Sequence, residues 1–246
     1  MAHIRILDHD VELADPYMIE GLPGVGLVGK IAADHLIESL EMTQYADVHC
    51  DGLPSVARYE EGDPTLSTPL RLYANDAGDL LVLQSDIPVS PDAATEFANC
   101  IQGWFDEEGV TPVYLSGIPR EKDADPPALY GISAGDGTRL LSEVDIGEPT
   151  ETGIVTGPTG AMLAHAVDHE TTAVGFVVES DPQFPDPEAA RIVITEGIEP
   201  LTGMEFSVDD LVDRASEIRQ AKEQLAQQMQ GAGEESTKVQ PLRMYQ

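Results

Sequence analysis

The stretch "EGLPGVGLVGK", Glu20 to Lys30, decides how the rest of the chain is read. Gly24, Gly26 and Gly29 spell G-x-G-x-x-G, and Gly24 to Lys30 spells G-x-x-x-x-G-K, so the loop fits two phosphate-binding patterns at once. Neither is complete. A P-loop needs Ser or Thr after its lysine, to hold the magnesium that neutralises the phosphates, and Ile31 stands there. A dinucleotide fingerprint starts directly at the strand end, whereas Gly21, Leu22 and Pro23 separate Gly24 from the strand-like run Tyr17 to Glu20. Asp51 does fall near the end of the next strand, where a ribose-binding acid would sit. Gly21, Gly24, Gly26 and Gly29 are therefore expected to be structural, letting a helix N-terminus lie close on a strand. A small-molecule or nucleotide-binding α/β enzyme that uses the Gly21 to Lys30 loop is the alternative.

Working outward, strand-like and helix-like blocks alternate. A helix over Gly26 to Leu40 has apolar positions at Val28, Ile31, Ala32, Leu36 and Leu40, and Tyr45 to Cys50 is again strand-like. Runs at Leu70 to Tyr73 and Leu80 to Gln84 flank the turn-rich "ANDAGD" and read as a hairpin. Pro91 to Glu108 carries proline near its start and Gly109 past its end, the usual helix signals. Further strands are expected at Val113 to Ser116, Ala128 to Ser133, Gly153 to Thr156 and Ala173 to Val178. Helices are expected at about Gly160 to His169 and from Pro187, where Asp186 supplies an N-cap. Repeated strand-then-helix order predicts a three-layer α/β/α domain with a largely parallel sheet and a hairpin insert over residues 1–206.

The charge narrows the function. Forty-five acids against 13 bases give a formal net charge of -32 in 246 residues, while 41% apolar content argues for a folded chain. Such a surface suits concentrated salt, and it makes nucleic acid and anionic membranes poor partners. Below roughly 0.1 M salt the repulsion acts over about 10 Å or more. Unfolding midpoints should therefore climb from low to multimolar salt, and a flat profile would remove the halophile reading. "MAHIRILDHD" lacks a signal-peptide pattern and no apolar run reaches membrane-spanning length, so a cytoplasmic location is expected. Cys50 and Cys100 lie far apart in apolar contexts without a C-x-x-C, and are expected as buried free thiols.

Two weaker patterns point to chemistry. "GISAG", Gly131 to Gly135, matches a nucleophile elbow around Ser133, with Asp168 and His169 downstream, but "AGDG" interrupts the helix that such a serine must start. His165 and His169 have the i, i+4 spacing of zinc ligands without the Glu of H-E-x-x-H, and are expected on a solvent-facing helix surface. No catalytic residue, metal or cofactor is assigned.

The C-terminal part differs in kind. Ser207 with Asp210 forms a capping box, and Leu211, Ala215, Ile218, Lys222, Leu225 and Met229 follow at spacings of four and three. This helix, 207–230, has one narrow apolar seam that either lies on the domain's own surface or pairs with another copy. Lys222 and the Gln-rich flanks weaken a purely buried role, and self-association into a homo-oligomer is expected through Leu211, Ala215, Ile218, Leu225 and Met229. Residues 231–246 form a flexible tail by composition. It ends in Met244-Tyr245-Gln246, where an apolar anchor, a ring with a hydroxyl and a free carboxylate make a compact plug for a pocket offering a cation and an apolar wall.

Three blocks carry a resemblance: "MIEGLPGVGLVGKIAADHLIESL" from Met18, "GPTGAMLAHAV" from Gly157 and "ESDPQFPDPEAA" from Glu179. With them the chain resembles archaeal members of the proteasome assembly chaperone family, over nearly the whole domain. The resemblance implies the α/β fold, a binding protein rather than an enzyme, and a structural glycine loop. It also implies that tails ending in hydrophobic-Tyr-X dock between neighbouring α subunits of the core proteasome, the carboxylate meeting a lysine; Met244, Tyr245 and Gln246 match that motif. The acidic surface points to a haloarchaeal version.

Overall fold

Tyr17–Gly21 turns Met18 to one face and Ile19 to the other, and both are fully buried, so this strand needs cover on two sides. A computed structural model describes residues 3–51, 53–119 and 126–213. In chain order the elements are β1 (His3–Ile6), β2 (Tyr17–Gly21), α1 (Val28–Ser39), β3 (Thr43–His49), β4 (Arg58–Glu60), β5 (Asp63–Ser67), β6 (Leu70–Ala74), β7 (Leu80–Ser85), α2 (Ala94–Glu108), β8 (Thr111–Pro119), β9 (Leu129–Ala134), α3 (Gly137–Glu143), α4 (Gly157–Asp168), β10 (Ala173–Ser180), α5 (Pro187–Ile192) and α6 (Glu199–Thr202).

Eight strands form one sheet in the order β1-β3-β6-β7-β2-β8-β10-β9, and β4 and β5 pair separately. The central four, β7-β2-β8-β10, are parallel, with Ile19 facing Val82 on one side and Val113 on the other. The outer pairings are antiparallel. Ile19, Val82 and Val113 meet α1, α3, α5 and α6 on one face; Met18, Leu81 and Tyr114 meet α2 and α4 on the other. The three-layer α/β/α architecture and the hairpin are as the sequence predicts, with the parallel pairing confined to the sheet's centre.

Local signals explain several boundaries. Asn75 Oδ1 accepts from the amides of Asp79 and Leu80 and so closes the β6–β7 hairpin. Ser90 accepts from Ala93 N at 3.3 Å to start the turn leading into α2, which Gly109 ends in the left-handed region at φ 67°. Asp186 accepts from Ala189 N at 3.2 Å as the N-cap of α5. Among the described residues no helix is long and apolar enough to cross a membrane.

Two expectations about the chain path need correction. No strand forms over Gly153 to Thr156: the free edge of β9 is taken up at Gly131, whose amide donates to Gly147 O, and Ile154 stands 89% exposed with no strand to pair it. Leu211 does not line a surface seam. It is fully buried with Phe206 and Ile198 in the core on the α1 face, because helical backbone begins at Asp209 and its first turn tucks against the domain. Ala215, Ile218, Leu225 and Met229, with the tail, lie outside the described residues.

The cysteines are also not free thiols. Cys50 and Cys100 are joined in a disulfide, with Cα atoms 5.9 Å apart, because α2 lies over the end of β3 and brings together residues 50 positions distant. Closing so long a loop restricts the unfolded chain, at about 2–4 kcal/mol for a typical bridge. Reduction at constant salt should lower the melting temperature, and the Cys100→Ala variant should melt at the same point with and without reductant.

Candidate functional site

In an open α/β sheet the place to look for a ligand is the crevice at the carboxyl ends of the strands where the order reverses. Here that point lies between β2, whose connection runs through α1 to β3, and β8, which leads to β9 and β10. The glycine loop sits across it. A Cβ on Gly21 would lie 2.3 Å from Ala33 Cβ and 2.8 Å from Leu83 O, so α1 presses directly on β2 and β7. One on Gly29 would meet Glu20 O at 3.1 Å and Leu22 O at 3.2 Å. Gly26 has φ 63° and touches Ser180, at the end of β10, while its carbonyl accepts from Asp186 N at 2.8 Å. Gly24 alone meets nothing within 4 Å.

The Val25 backbone packs on β8, its carbonyl 2.6 Å from where a Gly117 Cβ would be, while its side chain stands 36% exposed. Lys30 is not aimed at an empty cradle. Its Nζ is 2.6 Å from Asp34 Oδ1 and 3.6 Å from Asp86 Oδ1. Asp86 also binds Arg58 at 2.9 Å and the almost fully buried Arg71 at 2.7 Å, and Asp34 Oδ1 accepts from Gln84 Nε2 at 2.6 Å. A phosphate would have to displace two carboxylates to reach this lysine. The loop is closed by packing, and this counts against the nucleotide alternative.

Beneath the loop lies a residue that sequence reasoning did not single out. Glu20 is 1% exposed; its Oε1 accepts from Thr159 Oγ1 at 2.6 Å and its Oε2 from Leu115 N at 3.3 Å. The β2–β8 pairing runs only as far as Ile19 and Val113, so the carboxyl supplies an acceptor where the two strands part. Burial pushes this carboxyl up to about 8, against the opposing pull of those two hydrogen bonds. Neighbouring Tyr114, buried and accepting from Gln102 Nε2, is pushed upward chiefly by burial and then by the Glu20 charge. A lone acid inside an otherwise apolar strand was the available signal.

The other candidates do not assemble. Ser133 lies within β9, its Oγ 2.9 Å from Thr138 Oγ1, and α3 starts four residues later at Gly137. The His165 and His169 rings stack face to face at 3.9 Å and 12°, so their nitrogens lie in parallel planes rather than converging. His169 Nδ1 donates to His165 O at 2.9 Å, and burial, followed by the His169 charge, holds His165 below its usual range. His165 is half-buried rather than solvent-facing, which corrects the reading of that pair. Among the described residues no group of three or more His, Cys, Asp or Glu is placed to hold a metal.

One cavity of about 480 Å³ opens at the carboxyl ends of β8 and β10, lined by Ile118, Tyr130, Ile132, Val177 and the strap from Pro149 to Val155. It is mainly apolar, with Glu151 among its lining residues.

A parallel-centred sheet with helices on both faces, with its own glycine loop packed across the switch point, defines a three-layer α/β domain. The chain belongs to the PAC2 family, whose model matches residues 18–226. An uncharacterized protein of Methanocaldococcus jannaschii is 28% identical over 220 residues, 89% of this chain and 88% of that one. Pyrococcus furiosus PbaA, described as an archaeal homolog of proteasome-assembly chaperone, is 25% identical with a TM-score of 0.76, covering 94% of this chain and 99% of that one. Pyrococcus furiosus PbaB, described as an archaeal proteasome activator, shares the fold at 21% identity and a TM-score of 0.77, covering 92% and 98%.

Proposed function

We propose that this chain is a non-catalytic proteasome assembly chaperone or proteasome-binding protein of a salt-adapted archaeal cytoplasm. In this reading it docks Met244, Tyr245 and Gln246 into pockets between α subunits of the core proteasome. The observation that carries the reading is the pairing of a PAC2 domain over residues 18–226 with a chain end of the form hydrophobic-Tyr-X. The descriptions of PbaA and PbaB support the partner class, and the glycine loop packed on Gly117 and Ser180 supports a domain without a nucleotide.

Self-association through Ala215, Ile218, Leu225 and Met229 would place several tails on one particle and raise avidity without new contacts. With Leu211 buried, a charge there would test folding, so Ile218→Asp is the variant to use for that seam. The test of function is capture in multimolar salt. The intact chain should retain α subunits from the same organism and Tyr245→Ala should not; equal capture by both would sink the tail's role.

A further inference from the structure

The chain leaves the main sheet after β3 and returns to it at Leu70, and the excursion between them is lightly fastened. The β3–β6 pairing ends at Asp47 and Arg71, beyond which Val48 and His49 pair with Ile4 and His3 of β1. Residues 54–57 are exposed and belong to no strand or helix. β4 and β5 then pair with each other, apart from the main sheet, and a two-stranded ribbon is marginal by itself. Leu53 packs against the core, Arg58 pairs with Asp86 at 2.9 Å, and Thr68 Oγ1 donates to Asp47 Oδ1 at 3.0 Å.

The Cys50–Cys100 bond stands at the root of this excursion. The elements it joins have cover of their own. Phe97, Ile101 and Phe105 of α2 are fully buried, and Tyr45, Ala46 and Val48 of β3 are buried beside them in the same core. Both therefore stay on the body of the domain without the bond. What the bond adds is a fixed point where the chain turns out of β3. Its two halves also differ in access: Cys100 is 8% exposed, whereas Cys50 is half-buried.

We propose that Cys50 and Cys100 form a reversible thiol–disulfide site that latches residues 51–69 to the domain, opened by a dithiol and closed again by the corresponding disulfide. In the opening reaction a thiolate of the dithiol attacks Cys50 Sγ, the protein's S–S bond breaks, and Cys100 leaves as a thiolate that takes up a proton. The second thiolate of the dithiol then attacks the mixed disulfide at the dithiol's own sulfur, which releases Cys50 to become a thiol and closes the oxidised dithiol. Two electrons and two protons pass to the protein and the same number leave the dithiol.

Cys50 is the sulfur attacked because its residue is the more accessible, and because the segment that follows it can open locally while the sheet stays folded. Charge selects the reductant. A chain of net charge -32 repels anionic thiols, so an uncharged dithiol, or any thiol in screening salt, reaches the bond more readily. In the cytoplasmic setting of the proposed function thiols are kept reduced, and a disulfide there is typically transient or redox-sensing. The geometry of the latch does not depend on that setting.

The test uses the purified full chain in multimolar salt, equilibrated with mixtures of reduced and oxidised dithiothreitol and followed by maleimide labelling and by amide hydrogen exchange. In an equimolar mixture about nine molecules in ten should be reduced, both thiols appearing in one transition, as for a labile rather than a permanent bond. Over the first minutes of labelling, exchange in 51–69 should quicken by about tenfold or more on reduction, while β2, β8 and β10 stay protected in both forms. Cys50→Ser should show the quick exchange over 51–69 with and without dithiothreitol. A bond that stays closed in the equimolar mixture, or opens only when the whole chain unfolds, overturns the proposal and makes the bond a permanent staple. Exchange over 51–69 that reduction leaves unchanged overturns it too, as does loss of protection throughout the domain.

Discussion

Removal of Met244, Tyr245 and Gln246 is expected to weaken binding to proteasome α subunits by roughly tenfold to a hundredfold or more, without moving the melting temperature. The size follows from how such a plug works. A buried apolar side chain, a ring with a hydroxyl and a terminal carboxylate facing a cation each contribute about 1–3 kcal/mol as hot-spot groups do, and several tails on one oligomer multiply the loss through avidity. Tyr245→Ala should therefore recover only part of the intact affinity. Adding one residue after Gln246 should act like deletion, since it displaces the carboxylate from its cation while leaving every side chain in place. Titration of immobilised α subunits with the intact, deleted and extended chains separates these outcomes. If the deleted and extended chains bind as the intact one does, binding belongs to the domain surface instead.

The parts of the fold legible in the sequence were those written in short-range periods. The Gly21 to Lys30 stretch announced a strand, a tight turn and a helix, and the structure gives Gly21, Gly26 and Gly29 the close contacts that such a turn requires. Pro91 and Gly109 bounded a helix because caps act over one turn. What was not legible depends on partners distant in sequence. The Cys50–Cys100 bond requires knowing that α2 covers β3. "GIVT", Gly153 to Thr156, has the composition of a strand, yet the neighbouring edge is already engaged by Gly147. The β4–β5 ribbon is short, exposed and contains Pro64, so it carries neither alternation nor hydrophobicity to mark it. Leu211 fits a surface seam by spacing, but the first turn of a helix leaving a domain also packs on that domain. Glu20 could have been suspected, since a carboxyl within a strand covered on both faces has to find hydrogen bonds inside the protein.

Glu20 gives the second large expected effect, a loss of stability on the alkaline side that a single amide substitution removes. The native carboxyl is raised to about 8 from its ordinary 4.5, so between those two values the folded chain holds a proton that the unfolded chain has lost. Stability from this group is complete below about pH 4.5, falls by up to about 1.4 kcal/mol per pH unit through the interval, and levels off above about pH 8. Glu20→Gln reproduces the protonated form: its carbonyl can accept from Leu115 N and its amide can donate to Thr159 Oγ1, with the hydroxyl turned to accept. The variant should match the parent near pH 5 and exceed it by on the order of a few kcal/mol near pH 8, measured by denaturant unfolding at fixed multimolar salt. Glu20→Ala should be weaker than both at pH 5, because it leaves the Leu115 amide and the Thr159 hydroxyl without their acceptor in a buried place. If the parent and Glu20→Gln curves run parallel across this range, the carboxyl is ionised in the folded chain, and its two hydrogen bonds outweigh the cost of burying the charge.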